Sequence, residues 1–116
     1  KLIRLLYSDD LSVKKMQKPD KILMENTNLL QALSLQVPNI GTMRETFFCN
    51  QLGYTHQVEY NKRGDYLIDH KYVFEIGGKA KDGKQVANME NAYIASDECD
   101  YPIGNKLPLW LFGLMY

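Results

Sequence analysis

Two short apolar runs open the chain, Leu2 to Tyr7 and Lys21 to Met24, and both have strand length. The polar stretch between them, Ser8 to Asp20, ends in Lys-Pro-Asp and reads as a hairpin loop. Asn26-Thr27-Asn28 carries cap chemistry, so a short helix is predicted from roughly Leu29 to Leu35, broken by Pro38. A longer helix is predicted from Ile40 to Leu52. Asn39 can cap it, Thr42-x-x-Glu45 can form a capping box, and Ile40, Met43, Phe47 and Phe48 give it an apolar face at helical spacing. Gly53 ends it. Arg44 falls inside that face, which a simple amphipathic helix would not choose.

The period then changes from helical to alternating. His56 to Tyr60, Asp65 to Ile68 and Tyr72 to Ile76 read as three short strands, with turns at Asn61 to Gly64 and Asp69 to Lys71. Leu67 and Val73 point to one side of the sheet, and Tyr66, Ile68, Phe74 and Ile76 to the other. A sheet that is apolar on both faces implies a layered α/β domain. Gly77-Gly78 stops the third strand. Lys79 to Lys84 is a charged loop turning at Asp82-Gly83, a helix is predicted to start near Gln85, and Ala92 to Ala95 reads as a last strand. Leu107 to Tyr116 is apolar and reads as a buried terminal helix, with Pro108 tolerated in its first turn. Residues 36–116 therefore form the expected α/β domain, and residues 1–35 are assigned to the end of an upstream region.

Composition adds little to this outline. Basic and acidic residues number 14 each, so the net charge is zero and gives no global case for nucleic acid. Locally, Lys62, Arg63, Lys71, Lys79, Lys81 and Lys84 cluster in mid-chain, ahead of an acidic stretch with Glu90, Asp97, Glu98 and Asp100. The apolar run at the end is about half the length of a membrane span. Cys49 and Cys99 form one pair at most, and are expected to be reduced thiols of a cytoplasmic protein. The start at Lys1, directly in a strand-like run, is expected of a piece of a longer protein.

Candidate chemistry centres on Glu45, Asp65 and Glu75. If Asp69-His70-Lys71 is a three-residue hairpin loop, Ile68 faces Tyr72, Leu67 faces Val73, and Asp65 lies opposite Glu75. Cross-strand β-carbons lie roughly 4.5–5.5 Å apart. Two carboxylates that close repel each other unless a cation sits between them, and carboxylate oxygens with water are what Mg²⁺ prefers. Glu45 could add a third carboxylate from the helix. The simpler alternative is solvated strand-end acids and a helix-capping Glu45. His56 and His70 read as isolated surface residues, Cys49 as core, and Trp110 and Phe112 as packing.

Helix, three strands, helix, strand, with an acid in the first helix, an acid on the second strand and Glu on the third, resembles the restriction-endonuclease-like PD-(D/E)xK nuclease core. More specifically, "KPDKILMENTNLLQAL", "NIGTMRETFFCNQL", "GDYLID", "YVFEIGGKAK" and "GNKLPLWLFGLMY" resemble the uncharacterised carboxy-terminal domain of prokaryotic AAA-superfamily ATPases. The resemblance implies an ATP-binding domain upstream, a mixed sheet flanked by helices, and a site that binds Mg²⁺ and acts on DNA or RNA. It implies Glu45, Asp65 and Glu75 as metal ligands, and Gln85 as the glutamine that follows the third strand in some of these nucleases. Such cores place Lys two residues after the strand Glu, and that position is Gly77. Lys79, two residues further on and about 7 Å along an extended chain, is the expected replacement, with Arg44 as a substitute. Three functions stay open: a nucleic-acid-binding accessory domain with a degenerate site, an active Mg²⁺-dependent nuclease, and an interaction domain docking on its own ATPase module.

Overall fold

A computed structural model describes residues 1–8 and 18–115. Most of the predicted Ser8–Asp20 loop, and Tyr116, lie outside the described residues. Two antiparallel strands, β1 (Ile3–Leu6) and β2 (Lys21–Met24), form a small hairpin paired Ile3 to Met24 through Leu6 to Lys21. Helix α1 (Thr27–Leu33) follows, with the Asn26 side chain accepting from the Leu29 N–H. Helix α2 (Ile40–Leu52) begins at Asn39, whose carboxamide oxygen accepts from the N–H groups of Gly41 and Thr42. Asn39 satisfies the orphan donors at that end, so the Thr42–Glu45 capping box does not form and Glu45 is left for another partner.

The main sheet has five strands: β3 (Val58–Tyr60), β4 (Tyr66–Ile68), β5 (Tyr72–Gly77), β6 (Ala92–Ser96) and β7 (Lys106–Pro108). They stand side by side in chain order, and β4 alone runs against the others. The β4–β5 hairpin pairs Ile68 with Tyr72, Leu67 with Val73 and Tyr66 with Phe74. This is the register of a three-residue loop. Asp69 and His70 both take positive φ in that loop, and the Lys71 N–H closes onto Ile68 O.

Both faces of the sheet are covered, as the strand pattern predicts. On one face, Tyr66, Ile68, Phe74, Ile76 and Ala95 pack with Phe48, Cys49 and Leu52 of α2 and with Leu109 and Phe112. Phe48 is the centre of this layer, its ring 4.9–5.9 Å from those of Phe112, Phe74 and Tyr66. Leu6 and Leu23 belong to the same cluster, so the amino-terminal hairpin, expected to belong to an upstream region, contributes to this core. The opposite face buries Val73, Val86, Ala92 and Ile94.

Three expectations need correction. The buried face of α2 is Thr46, Phe48, Cys49, Asn50 and Leu52, while Ile40 is exposed. Only the carboxy-terminal half of the helix lies over the sheet. The helix expected near Gln85 is a single 3₁₀ turn, Lys84–Val86, entered through Gly83 at φ 70°. The crossover from β5 to parallel β6 is thus made almost without a helix. The terminal apolar run is not one α-helix: its start pairs with β6 as β7, and a 3₁₀ segment, Leu109–Leu114, follows. Trp110 lies on the outside of that segment and is exposed.

Candidate functional site

Glu75 sits in the middle of β5 and is 2 % exposed. Phe74 and Ile76 point toward α2, so by strand alternation Glu75 shares the opposite face with Val73. A carboxylate so far out of water requires a partner. It has one in Lys81, whose Nζ lies 3.0 Å from Glu75 Oε1. Glu75 Oε2 is buried and has no hydrogen-bond partner.

Local backbone chemistry explains why Lys81 arrives there. After Gly77-Gly78 the chain folds back, the Lys81 N–H donating to Gly78 O at 3.1 Å. The aliphatic stem of Lys81 then lies across Gly77. A β-carbon at position 77 would come within 2.8–3.0 Å of Lys81 Cδ, Cγ and Cβ, closer than real side chains approach. The glycine that stands where a nuclease core carries lysine is therefore the surface over which a later lysine reaches the same glutamate. Burial pulls the Lys81 pKa down, but the hydrogen bond to Glu75 and the charges of Glu75, Asp65 and Glu45 outweigh it and leave the pKa raised. All three carboxylates act on this one ammonium.

Asp65 lies one residue before β4. Its N–H donates to Phe74 O at 2.9 Å, and its Oδ2 accepts from the Ile76 N–H at 2.6 Å. The carboxylate takes the place of the carbonyl that a longer β4 would have offered, so it is held at the sheet edge beside Glu75. Glu45 projects from α2 to a second lysine, Lys21 of β2, at 2.6 Å. That ammonium also stands 5.4 Å over the ring of Tyr66. Tyr66 is fully buried. Burial, then the charges of Cys49, Glu45 and Asp65, push its hydroxyl pKa well above the usual phenol range. The Cys49 thiol beside it is pushed up to about 12, chiefly by burial. These two groups interact electrostatically, yet Tyr66 Oη makes no hydrogen bond of ordinary geometry. We give more weight to the geometry, because the hydrogen-bonding range of a thiol is broad.

The other expected site residues lie elsewhere. Arg44 donates from Nε to Asp97 Oδ2 at 3.0 Å and lies under Gly78, where a β-carbon would meet its guanidinium at 3.1 Å. It fastens the Gly77-Gly78 bend to the end of β6, and the Asp97 N–H bonded to Gly77 O does the same. Lys79 is exposed, and its carbonyl accepts from Lys106 Nζ at 2.8 Å. Gln85 is exposed in the 3₁₀ turn. Lys21 and Lys81, which engage the carboxylates, carry no spacing signal that would have found them.

Among the described residues, no group of three His, Cys, Asp or Glu side chains is placed to hold a metal ion. The donor set that fits a hard cation is narrower: Glu75 Oε2, which is orphaned and buried, and the neighbouring Asp65 carboxylate. Mg²⁺ is commonly held by one or two carboxylates, with water completing its shell. No helix among the described residues is long and apolar enough to cross a membrane. The chain matches no known family, no characterised protein and no solved structure.

Proposed function

We propose that this chain is a restriction-endonuclease-like domain that binds a divalent cation at Asp65 and Glu75 and engages the phosphodiester backbone of DNA or RNA beside Lys81. The observation that carries the reading is Glu75, buried to 2 % exposure, with one oxygen on a lysine and the other without a partner, next to Asp65. The element order supports it: α2 bearing Glu45, then β3, β4 and β5 with Asp65 at the start of β4 and Glu75 on β5, then a crossover and β6. A bound Mg²⁺ there would supply positive charge against a phosphate oxygen and make a water molecule more acidic. The chain's own residues do the rest. Asp65 is oriented by the Ile76 N–H, Glu75 is kept from rotating by Lys81, and Lys81 presents a cation to the phosphate. The accompanying AAA-type ATPase module stays part of this proposal as the domain's partner.

A second reading, a nucleic-acid-binding accessory domain that does not cut, is favoured by the Glu45–Lys21 pair, which draws the third carboxylate away from the other two. Calorimetry with Mn²⁺ and a plasmid-nicking assay separate the two. The first reading expects saturable Mn²⁺ binding that Asp65→Ala abolishes, together with Mg²⁺-dependent nicking. Nicking should be lost in Lys81→Ala and recovered in Gly77→Lys combined with Lys81→Ala. Binding without nicking supports the accessory reading. Equal Mn²⁺ binding by both proteins, or none by either, overturns the cation site.

A further inference from the structure

At the other end of β5, on the face covered by α2, a second concavity has a different character. It has a volume of about 220 Å³ and is walled by Tyr72, Phe74, Tyr93, Phe112, Leu107 and Met115. The aromatic walls are fixed against one another: Phe74 and Tyr93 stack at 5.5 Å, and Phe112 meets Phe74 edge-on at 5.5 Å. His56 and Asp69 supply the polar groups at its rim.

Those two residues are held in place. The His56 N–H donates to Leu52 O at the end of α2. Its Nδ1 lies 2.6 Å from Asp69 Oδ2, and Asp69 Oδ1 accepts from the Gln57 N–H at 2.8 Å. The bond to the Gln57 backbone, then that to His56, lower the Asp69 pKa, so this carboxylate is ionised. A neutral imidazole whose Nδ1–H is given to a carboxylate leaves Nε2 as an acceptor. Among the described residues Nε2 has no partner.

We infer that this pocket binds a small neutral molecule with one aromatic ring and one hydrogen-bond donor, a phenol in the simplest case. The ring would lie among Phe74, Tyr93 and Phe112, and the hydroxyl would donate to His56 Nε2. The complementarity is of size and polarity. An apolar cavity of about 150 Å³ accepts benzene, so 220 Å³ accommodates one ring with a small substituent. The aromatic and aliphatic walls reject charge, and an acceptor at the rim selects a donor. The site stands apart from Glu75 and does not rest on the nuclease reading.

The test uses p-cresol and toluene as probes with the unmodified chain, His56→Ala and Leu107→Trp, followed by saturation-transfer NMR and calorimetry. Circular dichroism verifies folding. The expected result is saturable p-cresol binding at least tenfold tighter than toluene. His56→Ala should bring p-cresol to the toluene value, and Leu107→Trp, which fills the pocket, should remove both. Overturning results are absence of saturable p-cresol binding, equal affinity for the two probes in the unmodified chain, or a p-cresol preference that survives in folded His56→Ala. If Leu107→Trp unfolds, the His56→Ala comparison decides alone.

Discussion

Replacing Lys81 by Met tests how Glu75 is accommodated inside the sheet. The methionine keeps most of the stem that lies over Gly77 but removes the ammonium 3.0 Å from Glu75 Oε1. At that distance, with an effective dielectric constant of about 20, the attraction is about 5 kcal/mol before desolvation is charged against it. Removing one member of a buried pair ordinarily costs about 3–5 kcal/mol, because the remaining charge is stranded. Glu75 is almost fully buried but the Lys81 side chain is 33 % exposed, and water screens part of the attraction. We therefore expect a loss of about 2–3 kcal/mol at pH 7. The assay is urea unfolding of Lys81→Met, Glu75→Gln and the double variant, where Glu75→Gln should recover at least half of the Lys81→Met loss. Alkaline pH adds an independent signature. The folded-state pKa of Lys81 is raised above 10.5, so its contribution is fully present below that value and is lost as pH rises through the folded pKa. The gap between unmodified chain and Lys81→Met should be constant from about pH 6 to 9 and close only in the strongly alkaline range. A loss under about 0.5 kcal/mol at pH 7, or a loss unaffected by Glu75→Gln, would refute the assignment of Lys81 as the counter-charge.

Other perturbations have equally definite expectations. Phe48→Ala deletes a fully buried ring that contacts three others and should cost about 3–5 kcal/mol in urea unfolding; a cost under 1 kcal/mol would mean that the α2 layer is loosely packed. Gly77→Ala should displace the Lys81 stem and reproduce much of the Lys81→Met loss, and combining the two should be clearly less than additive in the same assay. Both cysteines are free thiols. Iodoacetamide at pH 8 should label Cys99 in the folded protein and reach Cys49, whose pKa is about 12, only after unfolding, as mass spectrometry can read.

Local chemistry made much of the fold legible. Asn39 and Gly53 bound α2 where the sequence suggests, because capping needs only a few neighbouring residues. The parity argument at Asp69 to Lys71 also holds, since an odd-length loop fixes which residues pair across β4 and β5. The division of Leu67 and Val73 from Tyr66, Ile68, Phe74 and Ile76 is the division between the two cores. What escaped depends on distant partners. Arg44 looks misplaced on its helix until Asp97, 53 residues later, is beside it. His56 reads as isolated because Asp69 lies a strand away. The strand β7 has a helix-like sequence and is a strand only because β6 offers it a ladder. For the candidate site, Asp65 and Glu75 were legible, whereas the lysine was expected at position 79. An extended-chain estimate ignores the reversal at Gly78 that brings Lys81 back over Gly77.

The side-by-side order of β3 to β7 has a kinetic consequence. Each strand of the main sheet pairs with the one made just before it, so every new pairing closes only the loop between them. Loop-closure entropy stays small at each step, and the sheet can zip from β3 toward β7 with low contact order. The costly closures are two: docking of the 3₁₀ segment Leu109–Leu114 back onto α2, and contact of β1 with β3. Mutations in the β4–β5 hairpin should therefore slow folding, while those at Phe112 or Leu6 should mainly speed unfolding.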